Sequence, residues 1–94
     1  MAKLPVARPD EEADRAKRAA ERRFTAIVHS VMAALGRPAD FLKATVRPVS
    51  GDNFRVNVVT GPDAASARIA HSFFVTADEN GTVTRSTPVI VKHY

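Results

Sequence analysis

The feature that most constrains this chain is a helical pattern that begins at Asp10 and ends before Gly36. Its apolar side chains recur at spacings of three and four, which places them on one side of a helix. Asp10 is a favourable first residue, and Gly36 followed by Pro38 is typical of a helix end. The sequence therefore predicts one long helix. The apolar positions are Ala13, Ala16, Ala20, Phe24, Ile27, Val31 and Leu35.

The two halves of this helix carry different side chains. Residues 10–23 offer only alanines to a core and are rich in arginine, whereas residues 24–35 carry the large apolar side chains. We therefore expect the second half to pack on the rest of the chain and the first half to project or fray. The basic residues of the first half indicate a solvated helix surface or, alternatively, an anion-binding edge.

Length and composition limit the classes of protein that this chain can belong to. With 94 residues, one α+β domain over residues 10–94 is expected, preceded by a flexible or extended tail over residues 1–9. The absence of cysteine excludes disulfides, thiolate metal sites and cysteine nucleophiles. Neither a signal peptide nor an apolar run of about 20 residues is present, so we expect a cytoplasmic protein that does not bind membranes.

Alternating apolar and polar residues after the helix predict four strands joined by short turns. Sequential antiparallel strands favour a meander, so the predicted fold is α+β, with one long N-terminal helix packed on a four-stranded antiparallel meander. Residues 62–70 are compatible with a loop or with one helical turn. The predicted strands are Phe41–Val49, Asn53–Thr60, Ile69–Ala77 and a last strand that runs through Thr82–Arg85 and Val89–His93.

Turn residues predict how the strands pair. If the first hairpin closes on residues 50–52, Val46 lies opposite Val56 and their apolar sides coincide, as register selection requires. Pro48 cannot donate to a ladder, which indicates an edge strand or a bulge. Asn80-Gly81 is the strongest short hairpin signal and predicts a type I′ turn.

Basic residues are expected on the outer side of the first hairpin. In the predicted register Arg47 lies opposite Arg55, and Lys43 and Asn57 share their face. This set is either a solvated surface or a surface that binds an anion or an acidic partner. Binding of nucleic acid also calls for an aromatic ring among the arginines, and Phe74 supplies one only if it is exposed.

No residue pattern indicates catalysis. The sequence contains no nucleophile elbow, phosphate-binding loop or dinucleotide glycine pattern. His29, His71 and His93 lack metal-ligand spacing, and His71 and Ser72 point to opposite faces if they lie on a strand. We therefore predict a protein that is not an enzyme, with no catalytic residues, no metal site and no cofactor.

The helix followed by a four-stranded meander resembles the cystatin fold, especially its cytosolic, cysteine-free, stefin-like branch. The family's first inhibitory hairpin carries Q-x-V-x-G, and residues 47–51 of this chain read R-P-V-S-G, so Val49 and Gly51 match while arginine replaces glutamine. The family's N-terminal glycine is absent, and residues 78–81 are polar where its second loop is apolar. The resemblance implies inhibition of papain-like proteases through this hairpin.

Three functions are thus compatible with the sequence. The leading hypothesis is a non-enzymatic module that binds a protein partner or a second copy of itself, because a meander offers edge strands for pairing. The second is binding of nucleic acid or another polyanion through the basic sheet face and the basic half of the helix, consistent with the net charge of +4. The third is protease inhibition.

Overall fold

One long helix lies across a four-stranded antiparallel sheet in the computed structural model, which describes residues 9–94. The strands follow one another in the order β1-β2-β3-β4, so the predicted α+β meander is confirmed. The elements are α1 (Pro9–Leu35), β1 (Phe41–Ser50), β2 (Asn53–Thr60), a 3₁₀ turn (Ala64–Ser66), β3 (Arg68–Ala77) and β4 (Val83–Thr87).

The helix begins one residue earlier than predicted. Pro9 opens α1, since a proline in the first turn needs no hydrogen bond to its missing N–H. The remainder of the predicted tail, residues 1–8, lies outside the described residues. Residues 10–22 are exposed throughout, so the first half of α1 projects as a continuous helix.

The core lies between the second half of α1 and one face of the sheet. Ile27 and Val31 are fully buried, and Phe24 packs edge-to-face on Phe54 with ring centres 5.9 Å apart. On the sheet side the buried apolar residues alternate along β2 and β3, as expected for strands with one covered face. They are Phe54, Val56, Val58, Phe73, Val75 and Ala77.

The predicted register of the first hairpin is confirmed. Val46 lies opposite Val56, and Arg47 lies opposite Arg55. The register shifts between Pro48 and Ser50, as the proline predicted. The sequence did not decide between a loop and one helical turn for residues 62–70. The structure has a 3₁₀ turn there over residues 64–66, and the carboxylate of Asp63 caps it by accepting from the N–H of Ser66.

The turn between β3 and β4 is not the predicted type I′ turn. That turn needs positive φ at Asn80, whereas within residues 9–94 only glycines have positive φ. The carboxylate of Asp78 instead accepts from the N–H groups of Asn80 and Thr82, both at 2.9 Å, and only Gly81 is left-handed. The hydrogen bonds that the Asp78 carboxylate accepts within its own turn therefore outweigh the preference of Asn-Gly for a type I′ turn.

The last strand is shorter than predicted. It ends at Thr87, and Val89–His93 is not a strand. Pro88 cannot extend the ladder, and the chain turns to the end of the helix. There the carbonyl of Leu35 accepts from the N–H groups of His93 at 2.8 Å and Tyr94 at 3.1 Å. The need to satisfy a carbonyl at the helix C-terminus thus competes with strand pairing.

The beginning of β3 is exposed, although it contains a large apolar residue. Ile69 is 60% exposed. The register between β2 and β3 shifts next to it, so that Ile69 lies opposite Val59 on the side away from the helix.

Among residues 9–94, no helix is both long enough and apolar enough to cross a bilayer.

Gly81 lets the β3–β4 turn approach the helix. A Cβ at this position would lie 2.5 Å from the Cβ of Ala26 and 2.6 Å from the carbonyl oxygen of Arg23. Gly51 has a comparable left-handed conformation, but a Cβ there would meet nothing within 4 Å. A Cβ at either glycine would strain the backbone, but only a Cβ at Gly81 would also clash with α1.

We predict that Gly81→Ala destabilises the protein more than Gly51→Ala does. The Gly51 variant should lose only the cost of a left-handed alanine, about 1–2 kcal/mol. The Gly81 variant must also push the turn away from α1, so its loss should exceed that value clearly. Chemical denaturation measures both, and equal losses would contradict the close approach of turn and helix.

Candidate functional site

The face of the sheet opposite the helix carries a continuous row of side chains across all four strands. Arg47 pairs with Arg55, Arg55 with Phe74, and Phe74 with Thr87. Directly opposed residues project to the same side of a sheet, so these four share one face, which we call the outer face. Neighbouring strands lie about 4.8 Å apart, so the row extends over about 14 Å.

A second row of polar side chains runs beside the first. Thr45, Asn57 and Ser72 oppose one another on β1, β2 and β3. The hydroxyl of Ser72 donates to Asn57 Oδ1 at 2.7 Å and accepts from Arg55 Nη1 at 3.0 Å. This chain of hydrogen bonds holds the Arg55 guanidinium over the sheet and leaves most of its five N–H donors available.

The charge on the strands is entirely positive. None of the four strands, which all lie within the described residues, contains aspartate or glutamate. The carboxylates that follow α1 lie in turns, so no acidic group opposes the basic residues of the outer face. The basic strand residues are Lys43, Arg47, Arg55, Arg68 and Arg85.

The sequence placed Lys43, Arg47, Arg55 and Asn57 on one face, and the structure brings them together there. It left open whether an aromatic ring accompanies them. Phe74 is 36% exposed and lies opposite Arg55, in the middle of the row. Strand patterning alone did not reveal this position, because the run of apolar residues in β3 hid which side the ring occupies.

Arg85 also belongs to this face. It lies opposite Thr76, which is two residues from Phe74 along β3. Its position required the register between β3 and β4, which the sequence did not establish.

The cystatin-like hairpin presents its valine to solvent. Val49 is 51% exposed, and Gly51 occupies the left-handed position of the turn with φ of 53°. The β3–β4 turn lies next to this hairpin, because the N–H of Ala77 donates to the carbonyl of Asp52 at 2.9 Å. Protease inhibition through Val49 and Gly51 stays a prediction.

Arg23 has a structural role that the sequence did not indicate. Its Nη2 donates to Asp52 Oδ1 at 2.9 Å and to the carbonyl of Ala77 at 3.0 Å, and its Nε donates to the carbonyl of Asp78 at 3.0 Å. The guanidinium also lies 4.8 Å from the centre of the Phe54 ring. One side chain thus ties α1 to both hairpin turns, so Arg23 is not available to a ligand.

Two histidines that are distant in sequence meet on the helix side of the sheet. The rings of His71 and His93 have centres 5.4 Å apart, and Tyr94 Oη lies 2.7 Å from His71 Nε2. Partial burial lowers the pKa of His71 from its ordinary value of 6.5, and the nearby charge of His93 lowers it further. In the part of the chain that is described, no group of three or more metal-ligating side chains occurs.

Two open grooves flank the helix. One has a volume of about 490 Å³ and lies between α1 and the β4 end of the sheet, where Val89 is 76% exposed. The other has a volume of about 290 Å³ and lies between α1 and β1. The second is lined by Phe24, Thr25, Val28, Ala44 and Val46.

Comparisons with protein-family models, with curated proteins and with solved structures found no match for this chain. Any functional conclusion must therefore come from the chemistry of the surfaces described above.

We predict that His71 makes stability depend on pH. Because its pKa is lower in the folded state, the unfolded chain binds the proton first as pH falls. Stability should therefore be greatest above about pH 6.5 and should decrease as pH falls towards the native pKa, by at most about 1.4 kcal/mol per pH unit.

Denaturation at several pH values between about 5 and 8 measures this effect, in the range where histidine titrates. His71→Gln should flatten the dependence. His29→Gln is the control, because His29 is an exposed helix residue. A pH dependence unchanged by the first variant, or removed by the second, would refute the assignment to His71.

Proposed function

We propose that this protein binds polyanions on the outer face of its sheet. The observation that carries the proposal is the distribution of charge: four strands with basic residues and no carboxylate. The field of such a face is not cancelled locally, so it attracts a negatively charged chain. The proposed contacts to the anion are made by Lys43, Arg47, Arg55 and Arg85.

The opposed arginines support the same function. Like charges directly opposite each other on neighbouring strands destabilise a sheet mildly. Among residues 9–94 the only ion pair joins Arg23 and Asp52, so neither Arg47 nor Arg55 has an acidic partner. Their positions are unfavourable for folding alone and become favourable when phosphate or sulfate groups lie between them.

The basic half of α1 is a weaker candidate for the same ligand. Its arginines alternate with acidic residues, and Glu11 with Arg15 and Asp14 with Arg18 have the spacing of helical ion pairs. The acidic groups reduce the local field, whereas the outer face has none. Residues 10–22 nevertheless offer matched positions for a control.

We predict that Arg47→Gln combined with Arg55→Gln weakens binding of heparin on the order of 100-fold, because each of the two charge-assisted contacts contributes about 1.5 kcal/mol. Titration at fixed salt measures the affinity. Wild-type binding should fall steeply as salt increases, and the variant should show a smaller dependence on salt.

Arg15→Gln combined with Arg22→Gln is the control, since it removes the same charge from exposed positions on the projecting helix. Its affinity should change much less. An equal loss in the two double variants would show that only net charge matters, and the absence of any wild-type binding at low salt would end the proposal.

A second candidate function is recognition of an extended protein segment by β1. This strand of ten residues forms one edge of the sheet, so one side of its backbone is unpaired by the described strands. An added strand would place alternate side chains in the groove beside Ala44 and Val46, and the others opposite Lys43 and Arg47. A segment that alternates apolar and acidic residues fits this edge, whereas a second copy of β1 would bring like charges together.

This candidate predicts that a peptide of alternating valine and glutamate binds, because it can satisfy the backbone and both sides of β1 at once. Isothermal titration measures its affinity. A peptide of the same composition with valines and glutamates in separate blocks is the control. Equal binding of the two peptides, or none, would contradict edge-strand recognition.

A further inference from the structure

We propose that the polyanion is a single-stranded nucleic acid and that one of its bases stacks on Phe74; this inference rests on the proposed function of the outer face. In this arrangement Arg47 and Arg55 bind backbone phosphates, and the phenylalanine ring binds a base between them and the β4 edge. The ligand class follows from the chemistry of the ring and its neighbours.

Phe74 lies on the outer face beside Arg55, where its ring is available for a base to stack on. It lies on β3, an interior strand, and faces away from the helix, with 36% of its surface exposed. Its neighbours along the same side of β3 are Ser72 and Thr76, two small polar side chains. A large apolar ring that is left accessible among polar and basic residues gains stability when a flat apolar partner covers it.

The polar row beside Phe74 provides groups that can bond the edge of a base. Ser72 and Asn57 lie one side-chain repeat along the strands from the ring, which is about 7 Å. Proteins bind unpaired bases by stacking them on aromatic rings and by hydrogen bonds to their edges. The hydroxyl of Ser72 bonds both Asn57 and Arg55, which connects these polar groups to the proposed phosphate-binding arginine.

Other polyanions do not use the ring. The bases of a duplex are stacked on one another, so a side chain on a sheet surface cannot reach their faces. Sulfated polysaccharides have charge but no aromatic face. Stacking contributes to single strands alone and tolerates any sequence, because every base has a face that can stack.

The experiment compares one single-stranded and one non-aromatic polyanion at fixed salt. A fluorescein-labelled oligothymidylate of about 12 nucleotides, within the range that single-strand binding folds cover, is titrated by anisotropy beside labelled heparin. Phe74→Ala should weaken oligothymidylate binding about 5- to 150-fold, the loss expected for one stacked base. Its affinity for heparin should stay within about twofold of the wild type.

Two further variants provide controls. Phe74→Tyr retains a ring and should bind oligothymidylate as the wild type does. Ile69→Ala removes an apolar side chain that is also exposed on the outer face but is not aromatic, and its affinity should be unchanged. Thermal unfolding of each variant establishes that the fold is intact, and equal loss of both ligands in folded Phe74→Ala would overturn the inference.

The outcomes separate the two levels of the proposal. If the wild type binds neither ligand, polyanion binding itself fails. If it binds heparin but not oligothymidylate, or if Phe74→Ala leaves oligothymidylate affinity unchanged, the outer face is an anion site without base stacking and this inference alone is refuted.

Discussion

The whole architecture depends on burial of one side of α1 against one face of the sheet. Ile27 and Val31 have no exposed surface, and neither do Val56, Val58 and Val75 beneath them. Burying each such side chain contributes about 1.5–3 kcal/mol, so this contact outweighs any single polar interaction in the molecule. Because one helix covers only one face, the described elements leave the other face exposed.

Arg23 sets the position of the helix within that contact. Burial of apolar surface has no preferred direction, whereas the hydrogen bonds of Arg23 to Asp52, Ala77 and Asp78 join α1 to both turns at one end of the sheet. At the other end the carbonyl of Leu35 accepts two N–H groups from the C-terminal segment. Apolar contacts therefore hold the helix on the sheet, and polar contacts at both ends fix its direction.

The fold was largely predictable from the sequence because its main signals are local. Helical spacing located the helix, and the coincidence of apolar sides correctly paired Val46 with Val56. The sequence failed where a distant group decided the outcome. Val89–His93 has strand-like residues, but its backbone donates to the carbonyl at the end of the helix and does not pair with β3. The Asp78 carboxylate likewise changes the turn at Asn80-Gly81 by accepting a backbone hydrogen bond.

The candidate site was predictable in part for the same reason. Lys43, Arg47, Arg55 and Asn57 could be placed together from a single hairpin. Phe74 and Arg85 could not, since their side of the sheet depends on two further registers, each of which contains a shift. The ring is the residue that converts a basic surface into a candidate site for bases, so the decisive feature came from tertiary structure.

We propose that the bare face of the sheet, and not the projecting helix, contacts the ligand. Ultraviolet cross-linking of a single-stranded oligonucleotide, followed by mass spectrometry of tryptic peptides, tests it directly. We expect a cross-link in the peptide of residues 69–85, at Phe74. Cross-links confined to peptides from residues 10–22 would contradict it.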